Sequence, residues 1–318
     1  MTTPGYNTGG QNISGQFGMP LYGISGLPPF TGNYYWVDQT NGSDGNTGGP
    51  QDPFKTLAQA HSVCTANNND VVFLVGSVNL TATLTWSKAK THLIGLIGLS
   101  QNNRARISQT GSTVFSPLVS VTAEGCIFRN IGTFHGFNDA STQICWQDSG
   151  GRNSYEGVQF LGMGNATAAA QAGSRSLLVT GTTGENRFTN CQIGLDTVTR
   201  ATNANASLEI AGGSPRNYFA SCVFPMLTSL AGNTMVTVGA SGMDRWAVFD
   251  NCSFINCVDS TATTATNAFS VSGSAGGSVV LNNCITIGCT NVSASGPVYV
   301  NQISAAGGNT TYIGVAAS

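Results

Sequence analysis

The sequence predicts an all-β chain wound as a parallel β-helix, and three observations predict it. A short phrase recurs: "AEGCIF" (123–128), "YEGVQF" (155–160), "FTNCQI" (188–193), "FASCVF" (219–224), "FDNCSF" (249–254) and "LNNCIT" (281–286). Anchored on Cys126, Val158, Cys191, Cys222, Cys252 and Cys284, its steps are 32, 33, 31, 30 and 32 residues. A second phrase keeps nearly the same step, as "LVSV" (118–121), "LLVT" (177–180), "LEIA" (208–211), "VTVG" (236–239), "FSVS" (269–272) and "VYVN" (298–301). Both phrases alternate apolar with small or polar residues, which is the period of a strand, and no i, i+3, i+4 pattern interrupts them. A propeller blade needs about 40–45 residues for its four strands. Repeats near thirty are too short for that, and stacked coils of parallel strands remain.

The elements follow in chain order. Residues 1–33 carry no charged side chain but hold spaced apolar anchors at Tyr6, Phe17, Met19, Leu21, Tyr22, Leu27 and Phe30. Such a segment buries too little to fold alone and reads as an extended arm that docks on a neighbour. It also lacks the basic and apolar regions of a secretory leader. A solenoid exposes the core of its first coil and needs a cap, which residues 34–70 are expected to supply. There "YYWV" is a strand, "NGSDGNTGGP" a turn, and "DPFKTLAQAHSVCTA" a helix over 53–66. Asp52 suits its N-cap and Pro53 its first position, while Phe54, Leu57, Ala58, His61 and Cys64 share one face. The β-helix is expected over 71–300, and 301–318 as a closing strand or cap.

Inside the coils, inward residues of one rung lie about 4.8 Å from those of the next. The six anchors then form one interior ladder, beside a ring stack of Phe188, Phe219 and Phe249 and another of Phe128, Phe160, Phe224 and Phe254. Asn190, Asn251 and Asn283, each preceding a ladder cysteine, fit a turn near the left-handed region and hydrogen bonding along their own stack. The nine cysteines are odd in number and form no CxxC pair. They read as reduced, buried fillers and not as disulfides or metal ligands. No metal or cofactor is expected.

Charged residues make up 8% of the chain, against about 25% in an average domain. No Lys/Arg run exists, which excludes a nucleic-acid or anionic-membrane surface. No apolar run approaches the ~18 residues of a spanning helix.

One position invites a search for catalysis. The variable residue of the first phrase is Glu124, Glu156, Thr189, Ala220, Asp250 and Asn282 in successive coils. Stacked, Glu124 and Glu156 would lie about 5 Å apart, close to a retaining glycosidase pair. The plainer reading is an outward, solvated position. Arg152 and Arg216 sit in equivalent loops and point to pairing with solvent or a neighbouring subunit. His61 reads as a cap residue, His92 as a strand-start residue and His135 as a loop residue open to a binding role. "DQTNGSD" lacks the remainder of an EF-hand and reads as a turn.

The entry segment "YYWVDQTNGSDGNTGGPQDPFKTLAQA", followed by "VVFLVG", resembles that of right-handed parallel β-helix proteins of the pectin-lyase-like superfamily. Tyr35, Val37, Asp38, Gly42, Ser43, Asp44, Pro53, Phe54, Thr56 and Ala60 carry the likeness. The resemblance implies the right-handed fold over about 34–300. It leaves activity open, because the superfamily holds lyases, hydrolases and non-catalytic bacteriophage spikes and adhesins. The arm and the missing leader point to the bacteriophage branch. The expectation is a non-enzymatic virion structural protein, a capsid decoration or head-spike subunit assembled in the host cytoplasm and displayed on the virion surface. Its partners would be itself, as a homotrimer, and the major capsid protein or another virion protein through residues 1–33. The alternative is a tailspike or adhesin that binds or cleaves host surface polysaccharide as a polysaccharide lyase or glycoside hydrolase.

Overall fold

The computed structural model describes residues 32–96, 105–109, 114–258, 263–294, 296–300 and the backbone of 315–316. The expected arm anchors, Tyr6 to Phe30, lie outside the described residues. The described residues form a right-handed parallel β-helix of three sheets with eleven, eight and eight strands. The first sheet runs from Tyr34–Asp38 to Val298–Val300, all parallel, with Val315–Ala316 added antiparallel. Each coil passes from the first sheet to the second (Ser77–Leu80 through Ile285–Ile287) and on to the third (Leu84–Trp86 through Cys289–Ser293).

The corner between the first and second sheets is closed by one residue of positive φ. Asn130 (55°), Gly157 (62°), Asn190 (54°), Ser221 (53°), Asn251 (53°) and Asn283 (50°) occupy it in successive coils. Glycine and asparagine tolerate this left-handed region at little cost. Asn251 donates its side-chain amide to Asp250 at 3.2 Å, so the expected bonding along an asparagine stack is not what is found at this corner.

The strand register corrects the phase of the first coil. Phe128, Tyr155, Phe188, Phe219, Phe249 and Leu281 are paired partners in one inward row. Cys126 therefore stands opposite Asn153, and Ile131 takes the place beside Val158. Matching on the cysteine slips that coil by five residues (126 against 131). Phe128 belongs to the first ring stack, not the second. In that stack Tyr155–Phe188, Phe188–Phe219 and Phe219–Phe249 have centroids 4.6, 4.7 and 4.7 Å apart and rings within 7° of parallel. Phe224 and Phe254 stack at 4.7 Å on the second sheet.

The remaining anchors form a linked ladder. Each thiol donates to the backbone carbonyl of an aromatic residue one coil earlier: Cys191 to Tyr155 (3.6 Å), Cys222 to Phe188 (3.6 Å), Cys252 to Phe219 (3.5 Å) and Cys284 to Phe249 (3.3 Å). Burial pushes the Cys222 thiol well above its ordinary range, and all nine cysteines are free.

A second column lies outside the repeating phrases. Asn153, Asn186 and Asn217 are buried at the entrance to the first sheet. The Asn153 side-chain oxygen accepts from the Cys126 amide (2.8 Å), Asn186 from the Asn153 amide (2.9 Å) and Asn217 from the Asn186 amide (3.2 Å). They satisfy backbone donors that the turn leaves unpaired.

The cap differs from expectation in its helix, which spans Leu57–Val63 with Thr56 as N-cap. Residues 53–56 are held extended instead. Phe54 donates to the Trp36 carbonyl (2.9 Å) and accepts from Asp38 (2.9 Å). The Asp44 carboxylate accepts from the Lys55 and Thr56 amides and from the Thr56 hydroxyl, at 3.0, 2.8 and 2.9 Å. Asp52 closes the preceding turn by accepting from Thr47. Asn33 likewise belongs to the body, donating to Asp70 at 2.6 Å. On the outer face of the first sheet, Val71, Phe73 and Ile94 are buried as an apolar cluster separate from the interior.

Phe219→Ala, in the middle of the ring stack, should cost about 3–5 kcal/mol through the cavity it leaves. Asn186→Ala should cost about 1–3 kcal/mol by stranding the Asn153 amide. Denaturant unfolding of both variants checks the order, and an Asn186→Ala melt equal to the parent's would refute the column's role.

Candidate functional site

From residue 130 onward, turns between the first and second sheets are two residues long (130–131, 157–158, 190–191, 221–222), whereas loops between the second and third span 135–143, 162–174, 194–205 and 227–235. Repeat proteins place insertions on one face, and that face is often the one that binds. This loop-bearing edge, with the outward face of the third sheet beside it, is the candidate site.

The loops are fastened to one another. Thr167 donates its hydroxyl to the Asn138 side chain (2.7 Å), and Thr142 to the Ala172 carbonyl (2.8 Å). Asn205 donates to the Ala169 carbonyl (2.7 Å), and within the loop 227–235 Asn233 donates to the Thr228 hydroxyl (2.6 Å). Beneath them lies Arg200, buried, which donates to the Thr234 carbonyl (3.0 Å) and to the Ser207 hydroxyl. Burial, and then the nearby Arg175, draw its guanidinium down to about 9, so it remains charged at neutral pH. Arg175 donates to the carbonyls of Ser174 and Ala204 and pairs with Glu209 at 2.8 Å. Of the two guanidiniums only that of Arg175 meets a carboxylate, and both brace loop backbone.

The acid pair considered from sequence is not assembled. Glu156 stands in register with Arg129, and the two form an ion pair. Glu124 lies in the turn ahead of that coil and meets Arg152 at 3.3 Å. The misplacement follows from the same slip that put Cys126 in the wrong row. Arg152 and Arg216, expected to face solvent or a neighbouring subunit, both bind Glu185, which holds its carboxyl below the ordinary range. Arg152, Glu185 and Arg216 each have positive φ at the turn into the first sheet, so charged residues fill a corner that glycine or asparagine would fill at lower cost.

The three histidines are structural. His61 Nε2 accepts from the Ser87 amide (3.0 Å), and its ring stacks on Trp86 at 4.3 Å. His92 Nδ1 accepts from the Ile127 amide at 3.1 Å. His135 is buried beneath the first long loop, with Nε2 3.1 Å from the Phe115 carbonyl, and is closed off from the ligand role considered for it. Burial draws all three down to about 4, aided at His61 by Lys88. Among the described residues no group of three or more His, Cys, Asp or Glu is placed to hold a metal ion.

No family model matches the chain, and no curated protein matches it either. Solved structures do. A rhamnogalacturonan lyase superposes with a TM-score of 0.56 at 14% identity, over 80% of this chain and 68% of its own. The pectate lyase Pel9A gives 0.57 at 16% identity, over 85% and 68%. The pectin methylesterase PemA from Erwinia chrysanthemi gives 0.55 at 15%, over 82% and 81%. At these identities the likeness is one of fold, the pectin-lyase-like right-handed β-helix.

The histidines make stability depend on pH. Their unfolded value is 6.5 and their folded value about 4, so between these limits the unfolded chain binds more protons. Stability therefore falls as pH drops from 6.5 toward 4, by at most about 3 kcal/mol per histidine. Melting curves across that window should show the fall. NMR titration placing these imidazoles near 6.5 in the folded chain would contradict it.

Proposed function

We propose that this pectin-lyase-like β-helix is a non-enzymatic bacteriophage virion protein, a capsid decoration or head-spike subunit displayed on the virion surface. It attaches through residues 1–33 to the major capsid protein or another virion protein and works as a homotrimer. The observation that carries the non-enzymatic part is the condition of its carboxylates. Glu156 is held by Arg129, Glu124 by Arg152, Glu209 by Arg175, and Asp250 by the Tyr218 hydroxyl (2.7 Å) and the Asn282 amide (2.6 Å). A glycosidase needs one carboxyl free to hold a proton and another free to attack or to activate water. Each of these carboxylates is already engaged by a guanidinium or by neutral donors, which leaves none of the four free for either role. The virion part is supported by the uncharged arm with its spaced apolar anchors, and by a body that presents amides and hydroxyls in place of charge.

A second reading, a tailspike or adhesin that engages host surface polysaccharide, is favoured by the aromatic side chains on the outer face of the first sheet. Deleting residues 2–30 should abolish co-sedimentation with the source phage's capsids while leaving the far-UV spectrum and melting of the body unchanged. Retained attachment overturns the docking role. Release of reducing sugar from host polysaccharide, lost in both Glu124→Gln and Glu156→Gln, overturns the non-enzymatic one.

A further inference from the structure

The outer face of the second sheet differs in kind from the other two. Its outward residues run in two columns along the solenoid axis. One reads Arg106, Gly132, Gln159, Gln192, Val223, Ser253 and Ile285. The other passes from Phe134 to Leu161 and, further on, from Pro225 to Ile255 and Ile287. From Gly132 to Ile287 the six strands of this sheet carry no charged side chain. Outward columns of the other sheets do, with Glu156, Arg187 and Asp250 on the first and Glu209 on the third.

The two columns also change character along their length. The early coils are polar: the Arg106 guanidinium carbon lies 4.7 Å from the Phe134 ring centre, and Gln159 donates to Gln192 at 3.4 Å. The last three coils turn Val223, Ile255, Ile285 and Ile287 outward, and Val258 follows two residues after the strand Ser253–Asn256. Ile285, Ile287 and Val258 are 53%, 52% and 51% exposed, the highest values for large apolar side chains among the described residues. Apolar residues scattered singly over a surface are ordinary, whereas neighbouring ones mark a contact. The same coils end the solenoid. Among the described residues Ile285–Ile287 and Cys289–Ser293 are the last strands of their sheets, and only the first sheet gains an antiparallel strand, Val315–Ala316.

We propose that this face seats a second copy of the chain, packed side by side with its axis parallel and its coils level. The inference rests on the homotrimer reading and names the surface that joins the copies. Charge favours a copy, because a face without charge meets itself without burying an unpaired one. Pitch favours it too, since ridges recurring about every 4.8 Å are matched at every level by the same coils. The change from polar to apolar sets the direction. Parallel copies bring Ile285 and Ile287 onto their own counterparts, whereas antiparallel ones would lay them at the level of Arg106 and desolvate its charge. A sugar chain is a poorer fit, because the last three coils turn neither aromatic ring nor charge outward on this sheet. The exposed side chains alone fall short of the ~800 Å² per partner of a standard interface, so the contact takes in Gln192 and Ser253 as its polar rim. Parallel packing leaves every arm at the same end, as joint attachment through residues 1–33 requires.

Sedimentation velocity on the full chain over a concentration series tests this. The parent should self-associate, and Ile287→Asp and Ile287→Lys should each weaken association at least tenfold, because level packing brings like charges together. Mixed in equal amounts, the two variants should associate again, which misfolded chains would not do. Ile285→Thr keeps a β-branched strand former and should weaken association with the far-UV spectrum unchanged. A parent that stays monomeric overturns the proposal together with the homotrimer reading. A parent oligomer retained in both charged variants overturns this surface alone and leaves the copies joined elsewhere. Loss of association with no rescue on mixing overturns the level, parallel packing. Association that appears only after deletion of residues 301–318 gives the face to the chain's own tail and overturns it as well. Capsid co-sedimentation of the same variants reports separately on the docking role, because neither residue lies in the arm.

Discussion

One residue of positive φ per coil, at the corner between the first and second sheets, sets the register on which the rest of the molecule depends. Because the corner is two residues long in coil after coil, the aromatic residue before it and the small apolar residue after it return to the same height each turn. The rings then stack face to face, and each thiol reaches the carbonyl one coil back. A one-residue slip in the pairing of a strand would turn every inward side chain of that strand outward, since strand faces alternate with every residue. Asparagine is common at this corner because it tolerates the left-handed region, and the side-chain bonds made there are incidental.

The interior is also polar at one level, which composition alone conceals. Asp148 stands in the row of Val121 and Val179, facing inward. Its carboxylate accepts from the Tyr155 hydroxyl (2.6 Å), the Asn153 amide (3.0 Å) and the backbone amides of Gly150 and Gly151. Trp146 in turn donates to the Tyr155 hydroxyl at 3.3 Å. A lone buried carboxylate would be costly, and this one persists because every neighbour donates to it. The asparagine column grows from the same cluster, so the turn from the third sheet into the first is held by side chains, where the opposite corner is held by backbone bonds between coils, as from the Asn190 amide to the Ala220 carbonyl (2.9 Å).

How much of this was legible follows from which signals are periodic. Fold class, strand direction and the repeat length were readable, because the alternation of Phe188, Phe219 and Phe249 with polar residues repeats at a nearly fixed step. The phase of the first coil was not, because Cys126 mimics a ladder cysteine while Ile131, the true member, looks like any strand residue. Aligning on Phe128 with Tyr155 would have found it, and the recurring Asn-x-aromatic at 153–155, 186–188 and 217–219 would have exposed the asparagine column. The helix start was misread because Asp52 and Pro53 are good capping residues locally, yet Asp44, distant in sequence, takes up the amides of Lys55 and Thr56. The run "VVFLV" is buried on both faces, and that departure from alternation marks the outer cluster at Val71 and Phe73.

The same geometry explains why function is harder to read than fold. Inward columns are repetitive because stacking demands it, while outward columns are free to vary. The column beginning at Arg129 continues as Glu156, Thr189, Ala220, Asp250 and Asn282, six chemistries that the core does not select. A catalytic acid would be recognised by a carboxyl raised above its ordinary range in an accessible place. Asp148 is raised, but burial raises it, and it faces the interior among its donors. The perturbation therefore marks packing and not catalysis. Outward columns nevertheless contain side chains fixed by their neighbours, as Tyr218 is between Arg187 and Asp250.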